Sequence, residues 1–145
     1  MKTVTEYKSL LKFMTELRAH FLSKYPVDFK AGQIYRGDKE VSFFTFTPLS
    51  LRKQKLKVVI VFNHQKDRFE VWLAGQNKDV QKKYWTLFKD SDWNKHNIPN
   101  DIKRGFSIVD SILVAKPSFK TLDKLKLQIE SKAMTFVKDI EEVLV

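Results

Sequence analysis

A chain of 145 residues has the length of one domain, and a hydrophobic content of 43%, with twelve Phe, four Tyr and three Trp, is enough for an aromatic-rich core. The lack of cysteine excludes disulfides, thiolate zinc sites and cysteine nucleophiles, and the longest apolar run, residues 58–62, is far too short to span a bilayer. The formal charge of +10, with 14 basic against 7 acidic residues up to Trp72 and 13 against 10 beyond it, suits polyanionic or acidic partners, or a well-solvated surface.

In chain order, Tyr7, Leu10, Leu11, Met14, Leu17, Phe21 and Leu22 recur at spacings of three and four and predict a first helix over 3–25. Pro26 ends it by disfavouring helix at Tyr25. A short strand is expected at Gln33-Ile34-Tyr35-Arg36, a turn at Gly37-Asp38, and a second strand over Val41–Phe46, rich in β-branched and aromatic residues. Thr47 and Pro48 then suit the N-cap and first position of a short helical turn.

Leu56–Asn63 and Arg68–Ala74 read as a hairpin with the loop His64–Asp67. Counting back from that loop places Phe62 opposite Phe69, Ile60 opposite Val71 and Val58 opposite Leu73, all on one face. Lys57, Val59, Val61, Arg68, Glu70 and Trp72 then share the other face, a mixed surface suited to a helix, solvent or a ligand. Gly75-Gln76 breaks the strand, and Asn77 caps a helix over Lys78–Asp90 with the stripe Val80, Tyr84, Leu87, Phe88 and with Asp79 in its first turn. Residues 91–99 read as a loop and Ser107–Val114 as a last strand. After Pro117 and Ser118, a helix over 120–143 carries Leu122, Leu125, Ile129, Ala133, Phe136, Ile140 and Val143 or Leu144.

The expected architecture is therefore α+β: one domain over 1–145, with a mainly antiparallel sheet of about five strands packed against the N- and C-terminal helices. Without an apolar stretch near Met1, the chain reads as cytoplasmic and not membrane-bound.

His20, His64 and His96 have no partner at a metal-ligand spacing, so no metal site is expected; His20 reads as a rim residue and His64 as a solvated one. Gly32, Gly37, Gly75 and Gly105 are too scattered for a phosphate loop, so no cofactor is expected. Restriction-type nucleases share a coarse order of helix, strands, helix and strand, but Glu70-Val71-Trp72 has tryptophan where their lysine belongs, and Asp28 follows Val27 instead of proline.

Three constellations remain. Arg68, Glu70 and Trp72, with Trp85 on the next helix and Trp93 and His96 beyond it, suit a small molecule or a protein partner, since aromatics beside charges grip bases, sugars or cations. The same residues suit core-capping tryptophans and an Arg68–Glu70 pair. Arg52, Lys53, Lys55 and Lys57, with Lys66 at the far end of the hairpin, suit weak, sequence-independent contact with nucleic acid, or a solvated edge. Glu70, tuned by burial and Arg68, is the candidate acid or base if the protein is an enzyme.

Four stretches, Phe44-Thr45-Phe46-Thr47-Pro48, Val61-Phe62-Asn63-His64, Arg68 through Gly75, and Lys83-Tyr84-Trp85 with Ser91-Asp92-Trp93-Asn94, resemble a family of small uncharacterised bacterial proteins, a domain of unknown function. The resemblance covers nearly the whole chain and implies a stand-alone bacterial cytosolic domain, with no activity transferred to any residue.

Overall fold

The computed structural model describes residues 4–35, 40–101 and 107–145. Its elements are α1 (Val4–Lys24), β1 (Phe29–Ala31), β2 (Val41–Pro48), α2 (Leu49–Arg52), β3 (Leu56–Asn63), β4 (Arg68–Gly75), α3 (Lys78–Asp90), β5 (Val109–Val114) and α4 (Leu122–Leu144). The five strands lie in sequence order and every neighbouring pair is antiparallel. This is the expected α+β architecture: strands consecutive in the chain are neighbours in the sheet, with α3 carried in the connection from β4 to β5.

The hairpin carries the expected register, with Phe62 opposite Phe69, Ile60 opposite Val71 and Val58 opposite Leu73. Those side chains are buried together with Phe44 and Phe46 of β2, and with Leu10, Met14, Leu17 and Phe21 of α1. From α4, Leu125, Ile129, Ala133, Phe136 and Ile140 join the same core. Phe13, outside the expected stripe of α1, is also buried, with its ring 5.8 Å from that of Phe69. Tyr84 and Phe88 bring α3 into this core, while Leu87 of the expected stripe is 39% exposed. The Tyr84 hydroxyl donates to Gln54 Oε1 at 2.9 Å, and Gln54 Nε2 donates to the Leu144 carbonyl at 2.9 Å. One glutamine thus joins α3 to the end of α4. The Asn77 cap is as expected, its side chain accepting from the Val80 amide at 2.9 Å.

The first edge strand departs from expectation. It is Phe29–Ala31, pairing with Phe46–Pro48, while Tyr35 makes only an isolated bridge to Phe43. Arg36 and the expected turn at Gly37-Asp38 lie outside the described residues. The Phe29 ring stacks on Phe46 at 4.5 Å, so aromatic packing selects the segment that pairs. After Ala31, the Gly32 amide donates to the Thr45 carbonyl at 3.0 Å, and the Gly32 carbonyl accepts from Arg18 Nε at 2.7 Å.

The cap of α2 is a second correction. Pro48, the last residue of β2, occupies the N-cap position with no side-chain hydrogen bond, and Thr47 lies within the strand. Thr47 is buried and its hydroxyl accepts from the Val58 amide at 3.1 Å, a use that takes the side chain away from the helix end. The last strand and last helix each begin two residues later than expected, at Val109 and Leu122.

Gly75 is where β4 meets α3. A Cβ built there would lie 2.6 Å from the Gln81 amide nitrogen and 3.1 Å from the Val80 carbonyl carbon, both backbone atoms that cannot swing aside. Gly75→Ala is expected to push the start of α3 off the sheet and cost roughly 1–2 kcal/mol, read as a lower urea midpoint. An unchanged midpoint would show that this junction yields without penalty.

Candidate functional site

The face of the sheet turned away from α1 and α4 carries a cleft of about 1040 Å³. Strand alternation sets its floor. One cross-strand row is Thr45, Val59 and Trp72; the next is Phe43, Val61 and Glu70. Lys57 and Ala74 face each other at one end, and Asn63 and Arg68 at the other. Tyr35 and Glu40 line one side, and Lys78, Gln81 and Lys82, from the first two turns of α3, line the opposite one. The Tyr35 and Phe43 rings lie 4.8 Å apart, and Tyr35 is 52% exposed. The cleft therefore combines an apolar, aromatic floor with lysines Lys57, Lys78 and Lys82. Glu40 lies towards the Asn63 end, where its carbonyl accepts the His64 amide at 2.8 Å.

Glu70 is 6% exposed, and donors occupy both of its oxygens. Arg68 Nε donates to Oε2 at 2.6 Å and Asn63 Nδ2 to the same oxygen at 3.1 Å, while Trp72 Nε1 donates to Oε1 at 2.9 Å. A carboxylate engaged by three donors is built to hold neighbours in place. Its effect is to fix the indole of Trp72, which lines the cleft.

The structure divides the other sequence candidates among separate places. Trp93 and His96 line a smaller hollow of about 440 Å³ beside Phe88. There the Trp93 ring packs 4.8 Å from Phe88, and His96 Nε2 pairs with Asp139 Oδ2 at 2.9 Å. Nearby, Lys95 has its pKa raised by the hydrogen bond and charge of Glu142 and by the charge of Asp139. Trp85 gives its N–H to the Pro99 carbonyl at 2.8 Å and packs against the core, which docks the 91–100 segment on α3. Arg52 is spent on the Thr47 and Asp28 carbonyls, at 3.3 and 3.0 Å. Lys53 and Lys55 are exposed on the turn before β3, and the Gln76 amide donating to the Lys55 carbonyl at 3.0 Å holds that turn beside the end of β4. Lys66 sits in the hairpin loop at the opposite end of β3 from Lys57.

Of the sequence candidates, Trp72 and Lys57 thus line the cleft, with Arg68 and Glu70 bracing its floor. Tyr35, Phe43, Lys78 and Lys82 were not singled out. The alternation of β2 places Phe43 opposite in facing to Phe44 and Phe46, and Lys78 and Lys82 are four apart on a helix, so a signal existed for three of them.

Two titratable groupings lie elsewhere. Ser42 Oγ and His64 Nε2 are 2.8 Å apart, but Ser42 is fully buried, so this pair joins the ends of β2 and β3 and offers no open hydroxyl. Glu130 of α4 is 5% exposed and holds His20, Lys24 and Tyr25 at 2.6, 2.7 and 2.7 Å. Burial pushes its pKa up, yet the hydrogen bonds from Lys24, Tyr25 and His20 prevail and bring it to about 2. Burial, followed by the hydrogen bond to Glu130 and its charge, pushes Tyr25 up to about 12. His20, part-exposed as a rim residue, also makes a contact that ties α1 to α4. Among the described residues, no helix is long and apolar enough to cross a membrane.

The chain belongs to the family described as "Domain of unknown function (DUF7000)", whose family model matches residues 1–144. Neither the curated proteins nor the solved structures contain a match to it.

Proposed function

We propose, from a family membership that brings no reaction with it, that this protein is a small binding module whose ligand lies in the cleft on the open sheet face. The ligand has a flat apolar body and an acidic group. The observation that carries this reading is the arrangement of Tyr35, Phe43 and Trp72 beside Lys57, Lys78 and Lys82 in one cleft of about 1040 Å³. Ligand sites pair a mostly apolar lining with a few convergent polar groups, and a volume near the top of the small-molecule range suits an extended ligand. The setting we propose is the bacterial cytosol, on the strength of the four stretches that carry the family resemblance.

The probe for this reading is anilinonaphthalene sulfonate, a planar apolar anion. Its fluorescence is expected to rise on addition of the folded protein and to saturate at one site. The double substitution Lys78→Gln, Lys82→Gln is expected to weaken binding by roughly fivefold at low ionic strength, as loss of two solvent-exposed attractions should. Fluorescence that does not rise, or binding indifferent to those lysines, would remove the cleft as the site.

A further inference from the structure

We infer that the ligand of the open sheet face is a single-stranded nucleic acid, its bases stacked over Trp72 and the Tyr35–Phe43 pair and its phosphates following Lys57, Lys78 and Lys82. This rests on the cleft being a ligand site and goes further by naming the ligand's class.

Aromatic rings on an antiparallel sheet face form a stacking platform open to any base, because every base has a π-face. The platform here is held in place: the Trp72 N–H is bonded to Glu70 at 2.9 Å, and Glu70 is fixed by Arg68 and Asn63. Trp72 and Phe43 stand in adjacent cross-strand rows of the floor, on either side of Val59 and Val61 of β3.

Charge is arranged along the same surface. Lys57 lies one pleat from Trp72 at the Gly75 end of the cleft, where Lys78 and Lys82 line the α3 side. Lys53 and Lys55 continue the positive track onto the adjoining turn. Among the described residues, the acidic groups near this path are Glu70, nearly buried in the floor and paired with Arg68, Glu40, towards the opposite end, and Asp79, in the first turn of α3. A net charge of +10 adds long-range attraction. A duplex hides the faces of its bases, so an aromatic platform selects the single strand.

Fluorescence anisotropy with labelled eight-residue oligo-dT and oligo-rU, and with a duplex of equal length, tests this at 50 and 200 mM salt. Single strands are expected to bind more tightly than the duplex. With three phosphates neutralised, affinity is expected to fall on the order of twentyfold between the two salts. Trp72→Leu is expected to weaken single-strand binding about fivefold or more. Lys57→Gln with Lys78→Gln and Lys82→Gln, all on the surface and harmless to the core, is expected to flatten the salt slope. Duplex binding as tight as single-strand binding, or single-strand binding unmoved by both sets of changes, would overturn the inference. If the sulfonate probe binds the cleft and oligonucleotides do not bind even at 50 mM salt, this inference fails while the small-ligand reading stands. If neither binds, both fail.

Discussion

Phe69→Ala is expected to lower the stability of this protein by about 3–5 kcal/mol, the largest effect of any change considered. Phe69 is fully buried, and its ring lies 4.9 Å from Phe62 on β3, 5.8 Å from Phe13 on α1 and 6.2 Å from Phe119 in the segment before α4. Removing it deletes apolar contacts with three other parts of the chain at once. Because those three neighbours are themselves rigid rings, they cannot flow into the space. In thermal unfolding the loss should appear as a fall of roughly 10–15 °C in Tm. A loss under about 1 kcal/mol would mean that the aromatic cluster repacks freely, against the close packing described. Phe69→Leu, which keeps much of the volume, should recover more than half of the loss.

The second large effect belongs to Glu130. Glu130→Ala is expected to cost about 2–4 kcal/mol at neutral pH, because it strips a nearly buried carboxylate from three donors that were arranged around it. The pH dependence has a definite sign. A carboxylate whose pKa is lowered from 4.5 to about 2 by folding contributes stability that is fully present above its unfolded value. That contribution is lost as pH falls from about 5 towards 2. Tyr25 acts at the other end of the scale. Its folded pKa is raised from 10.0 to about 12, so its contribution is complete below 10 and is lost as pH rises towards 12. Urea midpoints across this range should fall on both sides for the native protein. Glu130→Gln should make the acid side shallower and also let Tyr25 ionise at lower pH, visible in the ultraviolet difference spectrum. A Glu130→Gln protein with the native acid slope would show that some other carboxylate governs acid unfolding.

The two effects separate what supports the fold from what could serve a ligand. The aromatic core and the Glu130 contact lie on the helix-covered side of the sheet. The cleft lies on the other, where Val61 and Val59 remain nearly buried under larger neighbours while Tyr35 stays half exposed. Changes to Lys57, Lys78 and Lys82 are therefore expected to alter binding with little effect on folding. Trp72 is the exception, since its N–H satisfies Glu70 as well as placing the ring.

Much of this arrangement was legible in the residues themselves. Alternation with a period of two, anchored by a four-residue loop, was enough to pair Phe62 with Phe69 and to put Lys57 and Trp72 on a common face. Spacings of three and four marked α1 and α4, and Asn77 marked the start of α3 within its own turn. These signals are local: each depends on residues within one or two turns or pleats.

Only the tertiary structure decided the rest. It made Phe29–Ala31 the edge strand through a ring stacked on Phe46, seventeen positions along the chain. It separated Trp85 and Trp93 from Trp72, and brought His20 to Glu130 across 110 positions. It also gathered Tyr35, Phe43, Lys57, Trp72, Lys78 and Lys82 around one cleft from five segments of the chain. The physical reason is that side-chain periodicity fixes which way a residue faces within its own element, whereas what it meets there depends on how the elements pack, and one face of a sheet can be filled by helices while the other is left as a surface.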